Sequence, residues 1–184
     1  LFMRYTYVES ILKKFIRSDK MKKFLLFMMM LFSTTVFAET INVKVTNKIN
    51  FGISPKELKN IIKSEPLPDS HDDGNYAVYY YENIEDPLGT KRQLNSFAFS
   101  DNQLFSAVFD SATTDEEHAK IIEDYKKNAS KVLKEKLNVK EYKGALILYN
   151  SKKIIEIYRM LDHTFISVYL YAPENLKDIL KNYE

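Results

Sequence analysis

Six short runs in which side chains alternate in character, at 76–84, 92–100, 103–111, 142–149, 153–160 and 164–172, dominate the chain after its first third. A period of two sends successive side chains to opposite faces of a strand. The links between several of these runs are only two or three residues long: Asp101-Asn102, Asn150-Ser151-Lys152 and Leu161-Asp162-His163. A parallel pair needs a crossover of a dozen or more residues, so these links demand antiparallel hairpins. Asp and Asn also tolerate the left-handed conformations of tight turns. An antiparallel sheet is the frame into which the rest must fit.

Two helices interrupt the strands, each with its own start signal. Ser54 is placed as an N-cap, Pro55 suits the first helical position, and Glu57 completes a capping box. Ile53 and Leu58 are spaced for a hydrophobic staple, and Gly52 lets the chain turn into a helix over about 55–63. Thr114 with Glu117 forms a second box, and Asp115 and Glu116 favour the positive helix end. Behind it Ile121, Ile122, Tyr125, Ala129, Val132, Leu133 and Leu137 recur at three- and four-residue spacing, one apolar stripe for the core. Ile41, Val43 and Val45 alternate like a short strand, and the stretch from Pro66 to Asn75 reads as a loop. Pro173 ends the last strand, and a final helix is expected over about 174–183. The class is α+β: two αβββ units, an antiparallel sheet against a long helix, and a short C-terminal helix.

The stretch MKKFLLFMMMLFSTTVFAET begins at Met21. A basic start, nine apolar residues over 24–32 and Val36-Phe37-Ala38 before Glu39 make the series of an export signal. The apolar core is shorter than the roughly 20 residues of a membrane span. The expectation is therefore an upstream extension over 1–20, a signal peptide over 21–38 and a single mature domain over 39–184. The mature protein would stand in the periplasm or outside a bacterial cell, without a stable membrane anchor. Seven of the 27 Lys and Arg and two of the 25 acids lie before Glu39, leaving 20 against 23 and a mature charge of −3. The basic balance belongs to the precursor and gives no argument for nucleic acid. Cysteine is absent. That excludes a thiol-linked lipid, a disulfide brace and thiolate zinc sites, so the fold must stand on its apolar core.

The stretches FGISPKELKNIIKSEP, AVYYYENIEDPLGT and FAFSDNQLFSAVFD, within about 51–137, resemble the first repeat of small exported α+β modules. These share the scaffold of the beta-lactamase inhibitor protein and of the small outer-membrane-assembly lipoproteins. In such modules an aromatic-Gly-x-Ser-x-x-Glu opening leads a helix, and a hairpin carries an Asp/Asn-x-Leu turn. Here those positions are Phe51, Gly52, Ser54, Glu57, Asp101, Asn102 and Leu104. Their Tyr-Gly-x-Pro after the second helix is replaced by LNVKEYKG, and the following Trp has no counterpart. The resemblance implies the fold more than the task.

Chemistry is sparsely signposted. His71, His118 and His163 fall in a loop, at a helix start and in a turn. His71-Asp72-Asp73, with Asp69 nearby, could offer oxygen and imidazole ligands, but it reads first as a solvated acidic loop. No Gly-x-Ser-x-Gly elbow positions a nucleophile, and four glycines leave no phosphate-cradling loop. No catalytic residue, metal site or cofactor is expected. In the second sheet half, Leu146, Leu148, Ile155, Ile157, Ile166, Val168 and Leu170 share one face. Tyr149, Glu156, Tyr158, Phe165, Tyr169 and Tyr171 share the other. A Tyr-rich open face suits protein contact, because each ring buries area while its hydroxyl stays satisfied. A second core layer would produce the same pattern. The expected function is an exported, non-catalytic binding or inhibitor-like module for an envelope or extracellular protein. The alternatives are a carrier of a small apolar ligand or lipid held between sheet and long helix, and an enzyme.

Overall fold

The computed structural model describes residues 43–171 and Lys181. The chain divides into two units, Leu1–Ala38 and Glu39–Glu184, and every described residue belongs to the second. The expected signal peptide, Ile41 and the expected helix over 174–183 (apart from Lys181) lie outside the described residues.

Both helices start where their caps predict. In α1 (Pro55–Ile62) the Ser54 side chain accepts from the Glu57 N–H, and the Glu57 carboxylate accepts the Ser54 N–H at 2.7 Å. In α2 (Asp115–Leu133) Thr114 and Glu117 repeat the arrangement, with the Thr114 N–H donating at 2.8 Å. Each box satisfies N–H groups that a helix start otherwise leaves without partners. Both helices end at a lysine in the left-handed region, Lys63 at φ 60° and Lys134 at φ 56°.

Among the described residues eight antiparallel strands form one sheet: β1 (His71–Asp72), β2 (Tyr76–Glu85), β3 (Lys91–Ser100), β4 (Gln103–Ala112), β5 (Asn138–Tyr142), β6 (Ala145–Tyr149), β7 (Lys153–Met160) and β8 (His163–Leu170). Their order is β1-β2-β3-β4-β8-β7-β6-β5. The last strand of each series therefore meets the other at the sheet centre, with Ala107 opposite Val168 and Phe109 opposite Ile166. Asp101 and Asn102 make the expected two-residue turn, at φ 49° and 66°. The expected strand over 142–149 is corrected. Lys143 and Gly144 adopt φ 48° and 82°, so the chain folds back there and Tyr142 pairs with Ala145. His163 likewise belongs to β8 rather than to the turn, which is Leu161-Asp162. Around Val43 and Val45 the backbone makes a single bridge, Lys44 with Asn50, and both valines are buried.

One sheet face carries the core. Leu58 of α1 and Tyr125, Ala129 and Leu133 of α2 pack with Phe97, Phe99, Phe109, Leu148, Ile157 and Val168. Phe97 meets Phe109 and Tyr81 edge-on, with ring centroids 5.9 Å apart in each pair. Each such side chain contributes roughly 1.5–3 kcal/mol by leaving water. The two parts of the Phe-Gly-x-Ser and Asp-Asn-x-Leu pattern meet here. The Gly52 N–H donates to the Leu104 carbonyl at 2.8 Å, and the Leu104 N–H donates to the Ile53 carbonyl at 2.9 Å. Phe51 is buried beside them. That pattern ties the entry of α1 to the head of β4.

Candidate binding face

Alternation along the strands puts a second set of side chains on the side of the sheet away from α1 and α2. The register lines them up in rows across β4, β8, β7 and β6. One row is Ser106, Tyr169, Ile154 and Tyr149; the next is Val108, Ser167, Glu156 and Ile147. Beyond them lie Asp110, Phe165 and Tyr158, then Ala112, His163 and Met160. Tyr149, Glu156, Tyr158, Phe165 and Tyr169, five of the six expected face residues, therefore share one side of the sheet, and Tyr171 follows the end of β8.

Burial divides this face. Ile147 and Ile154 are fully buried, and Tyr169 and Tyr171 keep 5% and 4% of their surface. These two tyrosines are not on an open surface, and of the two readings left open for the face their burial fits the second core layer. Tyr149, Glu156, Tyr158 and Phe165 are half-buried. The Tyr158 and Phe165 rings stack at 5.3 Å, and His163 stacks on Phe165 at 6.2 Å. Farther along the same face Tyr76 lies 6.2 Å from Phe105, the extra residue of a bulge in β4.

Charge sits beside the stack. His163 Nδ1 lies 2.9 Å from Asp110 Oδ1. Burial raises the Asp110 carboxyl above its ordinary range, and the His163 hydrogen bond opposes that shift. Burial, with the Glu156 charge adding to it, pushes the Tyr158 hydroxyl up to about 12, so it stays a neutral phenol. Asp110 and His163 join the face beyond the six expected residues. The alternation of 103–111 puts Asp110 on the side of Val108, whereas His163 was placed in a turn. The other ring nitrogen of His163 lies 3.9 Å from Asp162, an acid rather than a hydroxyl. An Asp–His pair that activated a nucleophile would present a hydroxyl or thiol there.

The other histidines have local work. His118 Nδ1 is 3.0 Å from the Thr164 hydroxyl, which in turn lies 2.7 Å from that of Thr113, so they join the start of α2 to β8. Near His71, Asp72 accepts the Gly74 N–H at 2.8 Å and Asp73 accepts the Tyr76 N–H at 2.7 Å, so the acids close the turn into β2. Among the described residues no group of three or more His, Asp or Glu is disposed to hold a metal ion. A recess of about 440 Å³ opens between α2 and β3–β4, lined by Leu88, Arg92, Lys120, Ile121, Asp124 and Tyr125 among others.

Compared with protein-family models, curated proteins and solved structures, the chain matches none of them.

Proposed function

We propose that the chain is an exported, non-catalytic module that binds a protein through the uncovered part of the second sheet face. Its centre is the stack of His163, Phe165 and Tyr158, with Asp110 beside it and Glu156 and Tyr149 at the margin. The observation that carries this reading is the stack itself: three aligned rings, each only half-buried, next to an acid–histidine pair. Aromatic anchors with polar tips, grouped on a rigid sheet, are the usual source of binding energy in protein interfaces. Export rests on the basic, apolar and small-residue series before Glu39. The carrier reading would use the recess beside α2, but Arg92, Lys120 and Asp124 suit an apolar ligand poorly.

The fold is read on the same terms as two αβββ units, with β1 and β5 added at the edges. Each half runs helix, then strands in series, and the order across the sheet is symmetric about the β4–β8 seam.

The test is a pull-down from envelope extract with the protein and with a Tyr158→Ala/Phe165→Ala variant. A partner held by the first and lost by the second, both folded by circular dichroism, is the expected result. Equal capture by both would remove this face from the reading.

A further inference from the structure

The recess between α2 and β3–β4 holds hydrogen-bond donors that lack acceptors. Arg92, on β3, lines it and is only 7% exposed. Its Nε donates to Asp86 Oδ2 at 2.8 Å, and Nη2 lies 2.7 Å from the same oxygen. The other Asp86 oxygen accepts the Leu88 and Thr90 N–H groups at 2.9 and 3.0 Å, so the acid is fixed and holds the guanidinium in place. Among the described residues Nη1 of Arg92 has no acceptor. Tyr125 of α2 also lines the recess; it is 1% exposed, and its hydroxyl has no hydrogen-bond partner among the described residues. Burial, with the Asp86 charge adding to it, raises that hydroxyl well above its ordinary range, so it stays a neutral donor. Buried donors are normally paired, and two without acceptors in the wall of one recess point to an acceptor from outside.

We propose that this recess binds a small organic acid, its carboxylate accepting from Arg92 and Tyr125 and its apolar body lying against Leu88 and Ile121. A guanidinium held by one edge presents the other to a carboxylate in the geometry of a paired hydrogen bond. Lys91 and Lys120 of the lining are exposed and add positive charge, with Asp124 opposing them. Acceptors nearby are already engaged. Glu117 takes the Thr114 N–H at 2.8 Å, and the Gln93 side-chain oxygen takes the Ala112 N–H at 3.3 Å. Leu88 and Ile121 are half-buried, which leaves part of each for an apolar chain. A volume of about 440 Å³ suits an acid of several carbons better than a bare ion. The recess lies on the helix side of the sheet, so the inference stands whether or not the Tyr158 face binds a protein.

The test is an NMR titration of the ¹⁵N-labelled full chain at neutral pH with acetate, butyrate and hexanoate, and with 1-hexanol and inorganic phosphate as counterparts. The expected result is a saturable shift of the Arg92 side chain and of the Thr90 and Lys91 amides, with affinity rising from acetate to hexanoate. Tyr125→Phe keeps the ring and removes the donor. It should weaken hexanoate by about threefold or more, while the urea midpoint of the ligand-free protein holds or rises. Lys120→Gln should weaken hexanoate as well. No saturable shift at up to about 10 mM of any acid overturns the proposal. Equal binding of 1-hexanol overturns it too, because the donors then play no part. Phosphate bound more tightly than hexanoate assigns the donors to an inorganic oxyanion and defeats the organic ligand. A lowered midpoint in Tyr125→Phe would show that the hydroxyl has its partner inside the protein, and the proposal falls with it.

Discussion

Two side chains show how this sheet uses burial on both of its faces. Lys153 is fully buried at the head of β7; its ammonium donates to the Lys44 carbonyl at 2.6 Å and pairs with Glu135 at 3.0 Å. It thereby ties the opening segment to the link between α2 and β5. Burial lowers the Lys153 pKa, against the pull of Glu135. The unfolded chain therefore binds this proton more tightly, and the residue's contribution to stability grows as pH rises toward the ordinary lysine range. Lys153→Ala leaves the Lys44 carbonyl without its donor and Glu135 with the Asn150 amide in place of a cation, and is expected to cost about 3–5 kcal/mol, read by urea denaturation. Loss of less than about 1 kcal/mol would show the tie to be incidental. Tyr169 makes the matching point on the other face. A contact ring in solvent can be removed for under about 1 kcal/mol. With only 5% of its surface exposed, Tyr169→Ala should instead leave a cavity and cost roughly 3–5 kcal/mol.

At the scale of elements, legibility followed burial and capping. Both helices could be read from their capping boxes, because local hydrogen bonds set them. The central strands could be read because one face of each is driven into a core. β5 gave no such signal: Val139, its one aliphatic residue, is 52% exposed, and the strand runs along the sheet edge. β1 is two exposed residues. The Lys143-Gly144 turn did leave a mark, since Gly144 supplies the positive φ a two-residue hairpin needs. The shared side of Tyr149, Glu156, Tyr158, Phe165 and Tyr169 was legible from alternation, but what lies over them was not, because period reports sides and not neighbours. The Asp110–His163 pair depends on β4 lying beside β8, across 53 positions of sequence, which no local pattern encodes. The capping claim is directly checkable. Ser54→Ala removes the acceptor for the Glu57 N–H and should cost about 1 kcal/mol. An unchanged denaturation midpoint would show that the box adds nothing.

For the whole molecule, the seam between β4 and β8 decides whether the two halves of the sheet stand alone. Seven residue pairs, from Ser106–Tyr169 to Ala112–His163, cross it. The apolar core crosses it as well, since Phe97, Phe109 and Tyr125 belong to the same cluster as Leu148, Ile157 and Val168. Separating the halves would open two sheet edges, with unpaired N–H and C=O groups along each, and would expose the shared apolar layer. A partly unfolded state with one half intact is therefore costly, although the strand order is symmetric about the seam. Urea unfolding is expected to be a single transition, with tyrosine fluorescence and far-ultraviolet circular dichroism giving coincident curves. Tyrosines serve well as reporters because they sit in both halves, Tyr81 in β2 and Tyr158 in β7. Val168→Ala, on the seam and fully buried, should move both curves together to lower urea. Two separated transitions, with only one moved by Val168→Ala, would mean that the halves fold independently and that the seam is a docking surface between them rather than part of one core.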